Sequence, residues 1–195
     1  MTDVLRQLLT GLRALVVLTV LLGIAYPAAV WGIGQLAFPA QAGGSLVVTA
    51  GPGGSQTVVG SSRIGQSFSG PQWFVPRPSA GDYDAQASGG SNLGPSDADL
   101  LAEVGRRRAA VATANGVTPA DVPAYAVTAS ASGLDPYISP AYAAIQVDRV
   151  ARARSMSTSE VSALVSANTK GRVLGFLGEP RVNVLLLNLA LDGSR

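Results

Sequence analysis

Between Ala14 and Ser62 the chain carries no Asp, Glu, Lys or Arg, and the first half of that span is almost wholly apolar. Leu15–Leu36 reads LVVLTVLLGIAYPAAVWGIGQL, which as a helix would be about 33 Å long at about 1.5 Å per residue. The hydrocarbon core of a bilayer is about 30 Å thick. No other stretch is long and apolar enough to cross it. The pattern predicts one membrane span over residues 14–38, with everything after it on one side.

The side follows from the cations. Arg6 and Arg13 precede the run, and no basic residue follows until Arg63. Basic residues near helix ends stay in the cytoplasm, so residues 1–13 are expected inside and the rest outside. Trp31 and Phe38, with Tyr26, suit the outer interface. Pro27 would free the carbonyl of Gly23, which predicts a kink. A cleaved signal peptide would share the basic start and the apolar core. Against cleavage, the apolar region is long, and Pro27 stands at a poor position before Ala28-Ala29.

Roughly 155 residues remain after the span, enough for one domain with a real core. The predicted fold class is a single N-terminal transmembrane helix followed by one compact α+β extracytoplasmic domain. Residues 39–60 form a Gly-rich connection with a β-hairpin, and residues 61–195 form the domain. Net charge is +2, and Arg106-Arg107-Arg108 is the one basic cluster, with no aromatics interleaved. That argues against nucleic-acid binding. Cysteine and histidine are both absent, which removes thiol chemistry, disulfides, the usual zinc ligands and every Ser-His or Cys-His nucleophile pair.

Leu46–Thr49 and Thr57–Val59 are β-branched runs flanking Gly51-Pro52-Gly53-Gly54, a hairpin pattern. Residues 79–95, SAGDYDAQASGGSNLGP, are too polar to build a core and form a loop. Its length favours a binding loop. Ser88-Gly89-Gly90-Ser91-Asn92 would serve either as an anion nest of successive N–H groups or as a pair of turns. A helix should start at an N-cap Ser96, carry a Glu103–Arg107 pair and end at Gly116. Val122–Val127 reads as extended. Ser139-Pro140 opens a helix through Arg154, with Asp148 and Arg152 paired on its outer face, and Ser157–Glu160 is a capping box. Val182–Leu191 is ambiguous. Alternating leucines favour a strand, and Pro180 favours a helix; the alternation is given the greater weight.

Several motifs then occur in a fixed order: Gly65-Gln66-Ser67-Phe68, Arg77-Pro78-Ser79-Ala80, Ser88–Leu93, Thr128–Asp135, Arg149-Val150-Ala151-Arg152 and Val184–Asp192. With the single membrane helix, they resemble the C subunit of the Kdp potassium-transporting P-type ATPase over nearly the whole chain. One departure is Val75, where that family often has a histidine after an aromatic pair. The resemblance implies a non-catalytic accessory subunit of an ATP-driven, high-affinity potassium importer. Its partners would be a channel-like potassium-binding A subunit, a P-type ATPase B subunit, a small single-helix subunit and the lipid bilayer of the bacterial cytoplasmic membrane. Potassium would be the substrate of the complex.

Two roles are implied. The subunit would assemble or stabilise its partners and act as a catalytic chaperone that raises ATP affinity, with Ser88, Gly89, Gly90, Ser91, Asn92 and Gln146 contacting the nucleotide. Alternatively, it caps or gates the outer mouth of the channel subunit and touches no nucleotide. An N-terminus held inside by Arg6 and Arg13 favours the cap, because roughly 30 Å of hydrocarbon would separate the loop from cytoplasmic ATP. Gly23, Ala28, Ala29, Gly32 and Gly34 would permit close helix packing, with Gln35 a candidate interhelix hydrogen bond. Asp82, Asp84 and Asp135 are either solvated turn residues or a field attracting potassium. A membrane-anchored Ser/Lys hydrolase is the remote alternative; the sole lysine, Lys170, sits in a polar setting unsuited to a depressed pKa.

Overall fold

Pro27 removes one N–H from the apolar helix, and the helix answers with a local change of register. In the computed structural model, which describes residues 2–51 and 54–193, α1 runs over Asp3–Val20, a π-turn over Leu21–Ala25 and α2 over Tyr26–Ala37. The Tyr26 N–H donates to the Leu21 carbonyl, five residues back. Such a π-turn is one of the few identifiable causes of a kink, and it stands where the proline predicts one. The continuous helix Asp3–Ala37 is 35 residues long and none of its most apolar window is buried. It begins well before the predicted span, so Arg6 and Arg13 lie on the helix itself. One further turn, α3 (Pro39–Ala42), follows.

The chain divides into two units, Met1–Leu46 and Val47–Arg195. Near the start of the second, β1 (Leu46–Ala50) and β2 (Gln56–Ser61) form the two-stranded hairpin expected from the β-branched runs. Its turn residues Pro52 and Gly53 lie outside the described residues. Residues 62–97 then run without regular helix or strand. Helix α4 (Ala98–Asn115) is capped by Asp97, one residue later than expected, whose Oδ1 accepts from the Asp99 and Leu100 N–H groups. It ends at Gly116 in the left-handed conformation, φ 69°, where glycine carries no Cβ penalty.

Of Val122–Val127 only Val122 and Pro123 are extended; the remainder turns. Pro119–Asp121 and Ala124–Ala126 are 3₁₀ turns. In the first, the Thr118 and Asp121 side chains each accept from the other's backbone N–H; in the second, the Thr128 hydroxyl donates to the Ala124 carbonyl at 2.7 Å, a local bond that competes with strand geometry. Helix α5 (Pro140–Arg154) starts at Ser139, and α6 (Thr158–Ala167) starts at the Ser157–Glu160 capping box, as predicted. Glu103 and Arg107 pair at 2.7 Å. Among the described residues no ion pair joins Asp148 to Arg152.

A small antiparallel sheet has the order β3 (Tyr137–Ile138), β5 (Arg181–Asn183), β4 (Thr169–Lys170). Ile138 and Thr169 both stand opposite Val182, on either side. After β5 the chain does not continue as a strand. Val184–Asp192 is helix α7, which corrects the weight given to the alternating leucines. Those leucines happen to fit period 2, but Val184, Leu187, Asn188 and Leu191 fit the helical spacing i, i+3, i+4, i+7, and these four are buried. Asn183 caps the helix by accepting from the Leu186 N–H at 3.1 Å. The core is built where α5, α6 and α7 meet the sheet, from Ile138, Val150, Val161, Val182, Leu187 and Leu191, with Phe74 from the irregular stretch. Each such side chain contributes about 1.5–3 kcal/mol relative to leaving it in water.

Candidate functional site

The long irregular stretch has no ladder partner for its backbone, yet part of it is buried, so its N–H and C=O groups must find side chains. Gln146, on α5, is 0 % exposed. Its Oε1 accepts from the Val75 N–H at 2.8 Å, and its Nε2 donates back to the Val75 carbonyl at 3.2 Å and to the Tyr142 carbonyl at 3.3 Å. Asn188, on α7, treats Phe74 in the same way, accepting from its N–H at 2.9 Å and donating to its carbonyl at 3.0 Å. Two amide side chains thus stand in for a neighbouring strand.

Two arginines complete the clamp. Arg149 Nη1 donates to the carbonyls of Gly70, Pro71 and Trp73, its Nη2 to Gln146 Oε1, and its Nε to Asn115 Oδ1 at 2.9 Å. Arg154 donates from Nε to the Gln72 carbonyl at 2.8 Å and lies 4.3 Å over the Trp73 ring. Burial lowers the pKa of Arg149 from its ordinary value, but the five acceptors around it keep it a donor. Burial pushes the Tyr142 hydroxyl up to about 12, so it stays neutral.

A second hub joins most of the motifs that carry the family resemblance. Arg77 Nη1 pairs with Asp135 Oδ2 at 3.0 Å, while its Nε and Nη2 donate to the Thr128 carbonyl. Its guanidinium lies 4.1 Å over the Tyr125 ring, and the Tyr125 hydroxyl donates to the same Asp135 oxygen. The Tyr83 hydroxyl donates to the Arg77 carbonyl at 2.6 Å. Burial and the Asp135 charge raise the pKa of both Tyr83 and Tyr125, which holds them as donors. Gly65 fits against this hub because a Cβ there would meet the Asp135 carbonyl at 2.6 Å.

The Ser88–Asn92 loop leans on the same hub. The Ser88 hydroxyl and the Gly89 N–H both donate to the Ser132 carbonyl, at 3.0 and 2.9 Å. A Cβ on Gly133, which has φ +69°, would meet the Gly89 carbonyl at 2.8 Å. Ser91 and Asn92 are exposed, and Asn92 has φ +55°. The structure does not bring this loop to Gln146. A cleft of about 440 Å³ is lined by Gln146, Arg149, Asn115 and Tyr142, and a neighbouring one of about 580 Å³ by Arg77, Asp82, Tyr83, Glu103 and Arg107. None of Ser88–Asn92 lines either cleft. Asp135 faces Arg77 and Tyr125, and Asp84 accepts from the Gln86 N–H. Among the described residues no cluster of three carboxylates could hold a metal ion. Lys170 lies exposed on β4 opposite Arg181.

Sequence reasoning singled out Gln146 but overlooked its companions Asn188, Arg149 and Arg154. The signal was present: a polar residue at a core position of a helical apolar face needs a buried partner.

Comparison with known proteins covers almost the whole chain. The family described as KdpC, K+-transporting ATPase, c chain, matches residues 8–193. A potassium-transporting ATPase KdpC subunit of Kineococcus radiotolerans is 57 % identical over 100 % of this chain and 97 % of its own length. Those of Beijerinckia indica and Geobacter sulfurreducens are 52 % and 51 % identical, over 92 % and 96 % of this chain and 89 % and 97 % of theirs. With the long apolar helix, the α+β unit and the hub of motifs already in place, these matches show that the chain belongs to the KdpC family, the c chain of the potassium-transporting ATPase.

Proposed function

We propose that this accessory subunit is a helix-anchored outer cap. Its N-terminus lies in the cytoplasm, and its α+β unit stands on the far side of the bacterial cytoplasmic membrane against the channel-like A subunit. There it assembles or stabilises that subunit together with the P-type ATPase B subunit and the small single-helix subunit. The observation that carries this reading is the 35-residue helix Asp3–Ala37, unburied and with Arg6 and Arg13 confined to its N-terminal part. Cations so placed hold that end inside. The α+β unit has a structural rather than chemical character. Its buried arginines and amides are committed largely to backbone carbonyls and N–H groups, and the hydroxyls of Tyr83, Tyr125 and Tyr142 are held protonated by burial.

The bonding of Gln146 supports a cap without nucleotide contact over a catalytic chaperone. All of its polar atoms are spent inside the fold, and freeing them would leave buried groups unpaired. A nucleotide held by Ser91 and Asn92 would need no such change, so the chaperone role rests on that exposed loop. The chain has no native cysteine, so a Ser91→Cys variant tests the arrangement directly. In intact cells an impermeant thiol reagent should modify it without permeabilisation. Modification only after the membrane is opened would overturn the cap.

A further inference from the structure

The connection between β4 and β5 holds an exposed aliphatic residue, Leu174, at positive φ, a conformation that Asp82, Tyr83, Asn92 and Ser155 also adopt in this domain. Residues 171–180, GRVLGFLGEP, fold back so that Val173 and Leu177 exchange both backbone hydrogen bonds at 2.9 Å. The tip residues Leu174 and Gly175 have φ +54° and +83°. The first two of the three residues between this pair are therefore left-handed, a conformation that normally selects Asn, Asp or Gly. Leucine is a poor choice for that conformation, and Leu174 gains no burial from it, being 79 % exposed. Val173, Phe176 and Leu177 are 51 %, 68 % and 49 % exposed. Four large apolar side chains thus project from a hydrogen-bonded turn without packing on the core. A local rule broken with no internal compensation points to a use outside the fold.

The base of the hairpin is cationic. Lys170, Arg172 and Arg181 flank it, against one anion, Glu179, which pairs with Arg172 at 3.2 Å. Lys170 and Arg181 stand in no ion pair among the described residues, although the Arg181 guanidinium lies 5.0 Å over the Tyr137 ring. An apolar tip above a cationic collar complements an anionic lipid surface, with hydrocarbon for the tip and phosphate for the collar. A tip of four side chains is far smaller than the roughly 1,200 Å² that a stable protein interface buries. A lipid layer asks for no such area, because the chain's own membrane helix already tethers the unit and raises the local concentration of bilayer.

We propose that the β4–β5 hairpin is a second membrane contact, inserting Val173, Leu174, Phe176 and Leu177 into the acyl–headgroup boundary of an anionic leaflet. This rests on the membrane-anchor reading, and the test separates the two. Single cysteines at Val17, Leu174 and Ser162 of the full chain are spin-labelled and reconstituted in bilayers with or without phosphatidylglycerol. Accessibility to oxygen and to a nickel complex then reports depth. The expected result is a label at position 174 that is oxygen-accessible and nickel-protected in anionic bilayers, shallower in zwitterionic ones, and a label at position 162 that stays in water. Phe176→Ser in the Leu174→Cys background should remove the nickel protection while near-UV circular dichroism stays native.

An aqueous signal at position 174 with a lipid signal at position 17 would overturn the hairpin alone. An aqueous signal at both would overturn the anchor itself. Protection at position 174 that arises only when the other transporter subunits are added would assign the hairpin to a protein partner and overturn the lipid contact. Equal depth in both bilayers would overturn the role of the cations.

Discussion

Gln146 carries a structural burden, bridging the Val75 backbone and the Arg149 guanidinium. Replacing it with leucine keeps volume but strands the Val75 N–H and one Arg149 N–H, at about 1–3 kcal/mol each for a buried unpaired donor. Gln146→Leu in the full chain should lower the unfolding free energy by that margin, read from a urea titration of the near-UV signal. If stability were unchanged and only the ATP dependence of the complex moved, the residue would be a ligand contact after all. The tyrosines make a second residue-scale prediction. Tyr142 is raised from 10.0 to about 12 by burial, and Tyr83 is shifted in the same direction. A group raised in the fold contributes stability that is fully present below its unfolded pKa and lost as pH rises toward the folded one. Stability should therefore hold up to pH 10 and fall from there to about pH 12, with tyrosinate absorbance appearing as the domain unfolds.

At the scale of elements, α7 is the instructive case. Asn183 ends β5 and begins the helix, accepting from the Leu186 N–H while its Nδ2 donates to the Ser62 carbonyl at 2.8 Å. Asn183→Ala removes the cap and the tie together. The expected loss is about 1–2 kcal/mol, the upper part of the range for an N-cap deletion, read as a shift in the urea midpoint with the sheet still formed. A loss of several times that would mean that β5 depends on the cap. The same element shows what limits a reading by pattern. Nine residues rich in leucine satisfy period 2 and period 3.6 at once, and the choice was made by which neighbours the chain meets. Asn188 had to reach Phe74, far away in sequence, and only the helix turns it inward with Leu187 and Leu191.

At the scale of the molecule, the proposed function depends on the anchor helix meeting other helices as well as lipid. Gly32 has open space around it, with nothing within 4 Å of an added Cβ, so a larger residue leaves this chain's own fold undisturbed. Gly32→Ile should reduce co-purification of the other transporter subunits several-fold while the chain still inserts, because small residues are what let helices approach closely in a membrane. Undiminished recovery of the complex would place helix packing elsewhere. The stretch before α4 gives the matching lesson for the second unit. Its loop at residues 79–95 was legible from Gly, Ser and Asp, whereas the apolar residues set among Gly and Pro in 61–78, which read as strands and turns, form no strand beyond Ser61. The hub that unites Arg77, Tyr83, Tyr125 and Asp135 was not legible, because those residues are distant in sequence and their pairing depends on folding.

What the sequence by itself determined is what lies within a few residues or depends on composition alone. That includes one span long enough for a bilayer, its charge asymmetry, the caps of α5 and α6, the β1–β2 hairpin and the absence of thiol and imidazole chemistry. Local periods and side-chain chemistry suffice for these, since the groups that interact are neighbours along the chain. The tertiary structure alone decided that Val184–Asp192 is helical, that Gln146 and Asn188 replace a missing strand, and that Leu174 is held left-handed at an exposed tip. Those outcomes turn on long-range partners for buried polar groups, and no window of local sequence contains both members of such a pair.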